Sequence, residues 1–197
     1  RKGCTGTSVV TITEPALLYF TETQSVCNTY TWAVNNQTYT TSGTYVATYT
    51  SVNGCDSTHV LNLTVRYTTS SVANVTAPNS YTWNANGVTY TASGTYTHTF
   101  VGGNAAGCDS SLTLNLNILN ITVQVDQHVS CNGNNDGSVI SSATGGSGNF
   151  TYDIDGANLF TNTSGTFLGL TPGTHTICAK ESPSNVSVCS TVTITEP

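Results

Sequence analysis

Apolar and polar residues alternate with period two through much of the chain. In residues 61–65 every second position is apolar, and residues 112–118 repeat this alternation. Such a period places successive side chains on opposite faces of the backbone, which predicts half-buried β-strands. Thr, Val and Tyr fill many of the other positions, and these residues favour a sheet over a helix. We therefore expect an all-β protein without substantial helix.

Turn residues separate these predicted strands. Asn35-Asn36 and Asn86-Gly87 each follow a Tyr-Thr-Trp segment and predict tight hairpins. Turns at Gly145-Gly146 and Asp155-Gly156 divide further strands, which we expect near 138–144, 149–154, 173–180 and 188–195. Short strands at this spacing predict small, Ig-like β-sandwiches in tandem, forming an elongated array.

Internal repeats predict the domain organisation. Five blocks at 30–32, 38–40, 42–45, 54–57 and 61–63 recur in the same order at 81–83, 89–91, 93–96, 107–110 and 114–116. The sequence Val-Thr-Ile-Thr-Glu-Pro occurs at both 10–15 and 192–197. We expect residues 1–15 to be the last strand of a preceding unit, 16–66 to form repeat A, 67–119 its copy A′, and 120–197 a different repeat, B.

Composition excludes several classes of partner. Only 7% of residues are charged and the net charge is −6, so the chain lacks the Lys and Arg needed to bind nucleic acid. The apolar runs are too short for membrane insertion. Seven cysteines in a charge-poor chain favour an oxidising, extracellular setting. No export signal opens the sequence, so we expect an internal fragment of a larger exported protein.

The cysteines predict disulfides that would stabilise small cores. Closing the loop between Cys27 and Cys55 would contribute about 3.6 kcal/mol in the chain-entropy model. In repeat A′ the position of Cys27 is taken by Pro78, which would leave Cys108 without a partner and make repeat A the more stable copy.

A second disulfide is predicted in repeat B. Cys178 and Cys189 share one face of two consecutive predicted strands, which favours a cross-strand bond between them. A bond from Cys131 to either of these two remains the alternative, because sequence alone does not determine connectivity.

Candidate ligand and catalytic groups are few. Asp153 and Asp155 are two residues apart on a predicted strand and would face the same way. With Asp136 they offer oxygen ligands for calcium, and as a carboxylate pair they would suit acid–base catalysis less well. No zinc-ligand spacing or nucleophile motif is present, so we expect no enzyme and no cofactor other than calcium.

Repeat B resembles a known surface-protein family. The segments Val-Ser-Cys-Asn-Gly-Asn-Asn-Asp-Gly-Ser at 129–138 and Gly-Leu-Thr-Pro-Gly-Thr-His-Thr at 169–176, with the closing Thr-Ile-Thr-Glu-Pro, are similar to SprB-type repeats. Repeats A and A′ resemble the Cys-Asp-Ser/Leu-Asn-Leu repeats of similar proteins. The resemblance implies a very large adhesin of gliding, Bacteroidetes-type bacteria, which is a structural or adhesive cell-surface filament.

The resemblance also suggests partners and a modification. Neighbouring copies of the repeats, and surface polysaccharide, would be the partners. Asp56-Ser57-Thr58 resembles the O-glycosylation site of such bacteria, which makes Ser57 a candidate. Two other functions stay open: a carbohydrate-binding module in which exposed Trp32 or Trp83 stacks on sugar rings, and an accessory region of a secreted hydrolase. Burial of both tryptophans would count against the first.

Overall fold

The computed structural model describes residues 3, 6–10, 18–50 and 56–197. All regular elements in these ranges are strands, so the all-β prediction is confirmed. The strands are β1 (Leu18–Cys27), β2 (Tyr30–Trp32), β3 (Gln37–Tyr39), β4 (Gly43–Thr50), β5 (Asp56–Arg66), β6 (Thr69–Pro78), β7 (Tyr81–Trp83), β8 (Val88–Tyr90), β9 (Gly94–Phe100), β10 (Ser110–Gln127), β11 (Gly137–Thr144), β12 (Phe150–Ile154), β13 (Thr166–Leu170), β14 (Gly173–Glu181) and β15 (Ser187–Ile194).

The chain divides into two compact units. The first contains residues 1–69 together with 101–110, and the second contains 70–100 together with 111–197. Segment 101–110 is the loop of repeat A′ that carries a two-residue insertion relative to repeat A. It therefore packs with repeat A rather than with the rest of its own repeat.

In the first unit a three-stranded sheet is covered by a hairpin. Strand β5 lies between β1, to which it is parallel, and β4, to which it is antiparallel. The β2–β3 hairpin brings Trp32 onto the apolar face of this sheet, where it is buried with Leu61, Leu63 and Val65. The period-two pattern of residues 61–65 supplies this face, as the sequence predicts.

The hairpins of the two copies close in the same way. Trp32 pairs with Gln37, so four residues form the turn, and Asn36 within it adopts a positive φ of 56°. The side-chain amide of Asn35 donates to the hydroxyl of Tyr39 at 2.8 Å, and the corresponding bond in the second copy measures 2.9 Å. Asn tolerates the left-handed conformation and hydrogen-bonds locally, which explains its position in these turns.

The second unit is built around the 18-residue strand β10. This strand pairs with β6, β9 and β11, and β13 extends the sheet beyond β11. A second sheet of β12, β14 and β15 supplies the other half of the repeat B core. Repeat B is thus a two-layer β-sandwich, as predicted.

Strand β10 serves two cores with opposite faces. Ile118 is 2% exposed and packs in the repeat A′ cluster with Trp83, whereas Leu119 is 0% exposed and packs in the repeat B cluster. Adjacent residues of a strand point to opposite faces. The cores of repeats A′ and B therefore lie on opposite faces of β10, and the peptide between Ile118 and Leu119 marks the change from one core to the other. No linker separates repeats A′ and B.

The four strands predicted in repeat B match β11, β12, β14 and β15 to within one or two residues. Strand β13 has no counterpart among the predicted strands. Its sequence, Thr-Phe-Leu-Gly-Leu, lacks strict alternation and contains Gly169 at a positive φ of 73°. In the part of the chain that the structure describes, no helix is long and apolar enough to cross a membrane.

Candidate functional site

Both tryptophans lie in cores rather than on a binding surface. Trp32 is 1% exposed and Trp83 is 4% exposed. Their ring centroids lie 6.4 and 6.5 Å from those of Tyr39 and Tyr90. Each hairpin folds its indole against the sheet, because this buries the largest apolar side chain of a small repeat. The prediction that Trp32 or Trp83 stacks on sugar rings is wrong.

Asp153 stabilises a turn. It is buried at the end of β12, and its two carboxylate oxygens accept the backbone N–H groups of Asn158 and Leu159 at 2.9 and 3.1 Å. Both oxygens are therefore used by the segment that follows Gly156. The carboxylate holds this turn against the sandwich and does not face solvent as a ligand.

Asp155 has left the strand and pairs with a histidine. Strand β12 ends at Ile154, and Asp155 adopts a positive φ of 52°. The prediction that Asp153 and Asp155 share one face of a strand is therefore wrong. Nδ1 of His175 lies 2.7 Å from the carboxylate of Asp155 and Nε2 lies 2.9 Å from the carbonyl of Thr171, so both nitrogens donate when the ring is protonated. These two bonds, to the Thr171 carbonyl first and to the carboxylate second, raise the pKa of His175. Burial opposes ionisation of Asp155, but the hydrogen bond from His175 lowers its pKa overall.

Asp136 lies in a third, separate place. It accepts the hydroxyl of Ser130 at 2.6 Å and the backbone N–H of Ser130 at 3.0 Å, and these bonds lower its pKa. Asp136, Asp153 and Asp155 are thus each bound by donors from their own neighbourhoods. Among the described residues no three His, Cys, Asp or Glu side chains lie together as metal ligands. The structure does not bring the predicted calcium ligands together.

His59 and the predicted O-glycosylation site Ser57 have ordinary sheet environments. His59 is half-buried and stacks on Phe20 with ring centroids 5.4 Å apart. Ser57 is half-buried in the central strand β5, and its hydroxyl lies 3.5 Å from the carbonyl of Tyr49. O-glycosylation at Ser57 stays a prediction, which intact-mass measurement of the secreted protein and of its S57A variant would test.

The first disulfide joins Cys27 to Cys108, with a Cα–Cα distance of 5.7 Å. The predicted Cys27–Cys55 bond is therefore wrong. Because β1 runs parallel to β5, Cys27 lies opposite Arg66, while Asp56 begins β5 at the other end of the sheet, about 30 Å away. Cys55 itself lies outside the described residues.

The loop that carries Cys108 is bound to the end of repeat A by hydrogen bonds as well. The guanidinium of Arg66 donates to the carbonyl of Ala106 at 2.8 Å, and the amide of Asn104 donates to the carbonyl of Tyr67 at 2.8 Å. The Asn104 oxygen in turn accepts the backbone N–H of Cys108 at 2.9 Å. Since Cys108 has a partner, the argument that repeat A alone gains a disulfide also fails.

The second disulfide joins Cys178 to Cys189, the pair that the sequence favours. These residues lie directly opposite each other on β14 and β15, with Cα atoms 4.1 Å apart. Cys131 is exposed and forms no disulfide with any cysteine that the structure describes. The alternative pairing of Cys131 with Cys178 or Cys189 is thus not formed.

A buried carboxylate that sequence reasoning did not find lies where repeats A′ and B meet. Glu181 is 2% exposed and accepts the backbone N–H groups of Ser147 and Ser184 at 2.8 and 3.1 Å, together with the Ser184 hydroxyl. The hydrogen bonds from Ser184 and then Ser147 lower the pKa of Glu181 to about 2. Its signal in the sequence is a lone carboxylate immediately before Ser-Pro-Ser in a charge-poor chain.

The turn that contains Gly145 and Ser147 contacts strand β10 closely. Gly145 has φ of +99°, and a Cβ there would lie 2.1 Å from the carbonyl oxygen of Ile118. Beside it, Thr76, Asn117 and Glu181 help to line an open groove of about 380 Å³. One side of the turn is therefore fixed by Glu181 and the other by the strand that repeats A′ and B share.

A family model identifies part of repeat B. Residues 122–159 match the SprB repeat. This segment runs from the repeat B portion of β10 through β12, so the SprB-type resemblance is confirmed there. No curated protein matches the chain.

Solved structures with partial similarity include two of intimin and one of Dscam1. A mutant intimin of EHEC O157:H7 is 18% identical over 39% of this chain and 45% of its own, with a TM-score of 0.29. The C-terminal intimin fragment in complex with the intimin-binding domain of its translocated receptor is 19% identical over 53% and 40%, with a TM-score of 0.34. The four N-terminal Ig domains of Dscam1 isoform 8.4 are 10% identical over 73% and 52%, with a TM-score of 0.30. The chain thus spans less than half the length of the two intimin chains.

Proposed function

We propose that this chain is a structural and adhesive repeat segment of a large secreted cell-surface filament, of the kind that gliding bacteria use as adhesins. The SprB repeat match within a chain of tandem β-repeats is the observation that carries the proposal. In this role the segment has no enzymatic activity. It lies outside the cell, and its partners are neighbouring repeats and, through the filament, surface polysaccharide.

The way in which the repeats join supports a mechanical role. Strand β10 runs through Ile118 and Leu119 without interruption, so tension along the chain is transmitted from repeat A′ to repeat B through a paired strand. The two disulfides limit how far each unit extends when pulled. An oxidising compartment is required for both bonds.

The contacts of the candidate residues count against the alternative functions. A carbohydrate-binding module would need an exposed aromatic platform, and both tryptophans are in cores. Asp153, proposed as half of a catalytic pair, accepts two backbone N–H groups and is buried. The two tryptophans therefore do not support a sugar-binding role, and Asp153 does not support a hydrolytic one.

Deletion of residues 16–197 from the surface protein that carries them tests the proposal. We expect the deletion to reduce attachment and gliding of the cells while export of the remaining protein, measured by surface labelling, is unchanged. Replacement by an unrelated β-sandwich array of equal length is the control. Rescue by the replacement would assign a spacer role alone, and unchanged attachment after deletion would contradict the proposal.

A further inference from the structure

One backbone hydrogen bond recurs at the end of all three repeats. It joins a residue just past the first strand of the repeat to a carbonyl in the last strand or just past it. The three bonds run from Asn28 to Arg66 (2.7 Å), from Asn79 to Leu119 (2.9 Å) and from Val129 to Thr195 (3.1 Å). We call these three places the seams of repeats A, A′ and B. They are structurally comparable although repeat B differs in sequence.

The first two seams differ in two respects, which are whether a cysteine is present and whether the last strand stops or continues. Strand β5 stops at Arg66, and Cys27 beside the seam is bonded to Cys108 in the Gly-Cys-Asp-Ser loop of the next sequence repeat. At the second seam β10 continues past Leu119 into repeat B, and Pro78 replaces the cysteine. A disulfide closes the seam where the strand stops, and none is placed where the strand continues.

The third seam, like the first, lies where the last strand stops, but its cysteine follows the hydrogen-bonded residue instead of preceding it. Strand β15 ends at Ile194, and Pro197 lacks the N–H needed to continue the ladder. Two residues beyond Val129 lies Cys131, exposed and without a disulfide partner among the described residues. The backbone N–H of Gly133 donates to Glu196 at 3.3 Å, which holds the turn containing Cys131 against the end of the repeat.

The sequence contains one example of a repeat placed directly after such an end. The same Thr-Ile-Thr-Glu-Pro sequence at 11–15 precedes repeat A, whose Gly-Cys-Asp-Ser block at 54–57 matches that of Cys108 at 107–110. Cys27 does not bond to Cys55, because its partner is Cys108. By analogy with Cys27 and Cys108, a cysteine at the seam of a B-type repeat would have the Gly-Cys-Asp-Ser cysteine of the following A-type repeat as its partner.

We propose that Cys131 forms a disulfide with the Gly-Cys-Asp-Ser cysteine of an A-type repeat joined to the end of repeat B. One Sγ–Sγ bond forms, and the two thiols release two protons and two electrons. A disulfide oxidant such as oxidised glutathione accepts the electrons and is reduced to two thiols. The inference rests on the proposed role in one respect only, which is that the chain is a segment of a repeat array.

A tandem protein tests this pairing. Residues 1–197 are joined directly to a second copy of residues 16–197, so the order at the new joint is the one found at residues 11–16. Cys55 of the first copy and Cys131 of the second are replaced by Ser, and Cys4 is kept as a competitor. After oxidation in glutathione buffer, non-reducing peptide mapping is expected to link Cys131 of the first copy to Cys55 of the second. The same map must contain the Cys27–Cys108 and Cys178–Cys189 bonds, which shows that the units are folded.

A matched control keeps every cysteine of the tandem protein and removes the direct joint. Inserting a flexible Gly/Ser linker between the copies is expected to slow formation of the Cys131–Cys55 bond by about tenfold or more, because the effective concentration falls. A Cys131 that stays open to alkylation in the direct tandem, a bond from Cys131 to Cys4, or equal rates with and without the linker would each overturn the inference. Loss of adhesion in cells is a separate readout, so failure of one proposal is distinguishable from failure of the other.

Discussion

Repeats A and A′ are copies of one sequence pattern, yet they end in different ways. At the end of repeat A the strand stops at Arg66, and the loop 101–110 is fixed there by Cys108 and by hydrogen bonds to Arg66 and Tyr67. At the end of repeat A′ the strand continues as β10 into the core of repeat B. The first end depends on a covalent bond, and the second depends on close backbone packing along a shared strand. Two copies of one repeat are thus connected to the next segment differently, one through a disulfide and the other through a continuous strand.

The largest expected effect comes from removing the bond at the first end. The Cys27–Cys108 disulfide closes a separation of 81 residues, so its replacement by two serines is expected to cost about 4.5 kcal/mol in the chain-entropy model. Removing Cys178–Cys189, which closes 11 residues, is the matched control and should cost about 3 kcal/mol. Chemical denaturation followed by hydrogen exchange, which resolves the units, measures both. A smaller loss for the first pair than for the second would contradict the assigned role.

The sequence predicts the second disulfide but not the first, and the reason is geometric. Period-two alternation tells which face of a strand a residue occupies, which is enough to place Cys178 opposite Cys189 on adjacent antiparallel strands. It does not tell which ends of two distant strands meet. The parallel pairing of β1 with β5 sends Cys27 to the far end of the sheet from Asp56, and that pairing has no local signal.

The second expected effect tests the shared strand. Gly145→Ala places a Cβ within 2.1 Å of the carbonyl oxygen of Ile118 and adds a side chain at positive φ, so we expect a loss of roughly 3–4 kcal/mol. Gly148→Ala in the same turn is the control, because Gly148 also has positive φ but no atom within 4 Å of its Cβ position. It should cost about 1 kcal/mol. Equal losses measured by thermal unfolding would show that the close approach to β10 is unimportant.

The third expected effect is a pH dependence at the same joint. Since the pKa of Glu181 is lowered from 4.5 to about 2, its contribution is fully present above pH 4.5 and is lost as the pH falls towards 2. Glu181→Gln is expected to cost about 2–3 kcal/mol at neutral pH and to flatten the stability profile across this range. Glu196→Gln, which alters an exposed carboxylate, is the control. An unchanged acid profile in the Glu181 variant would contradict this.

The positions of the candidate carboxylates could not be predicted from the sequence, because alternation does not show where a strand ends. Two residues of spacing on a strand would place Asp153 and Asp155 on one face, but the strand ends between them. Asp155 turns into the left-handed region and binds His175. The hairpins with Trp32 and Trp83, in contrast, follow from local turn residues and are well predicted.

The smallest expected effect concerns a difference between the copies inside their cores. Glu22 on β1 has a buried carboxylate oxygen with no hydrogen-bond partner among the described residues, and the corresponding residue of repeat A′ is Ala73. An unpaired buried acceptor costs free energy, so Glu22→Ala is expected to stabilise the first unit by about 1 kcal/mol. The reciprocal change, Ala73→Glu, should destabilise the second unit by at least as much, because Ala73 packs against the cluster of Leu114 and Leu116. Hydrogen exchange at the Asn28 and Asn79 amides, one in each seam, reports the two units separately. If both substitutions were destabilising, the Glu22 carboxylate would have to contribute favourably to repeat A, and the copies would differ in their cores as well as at their ends.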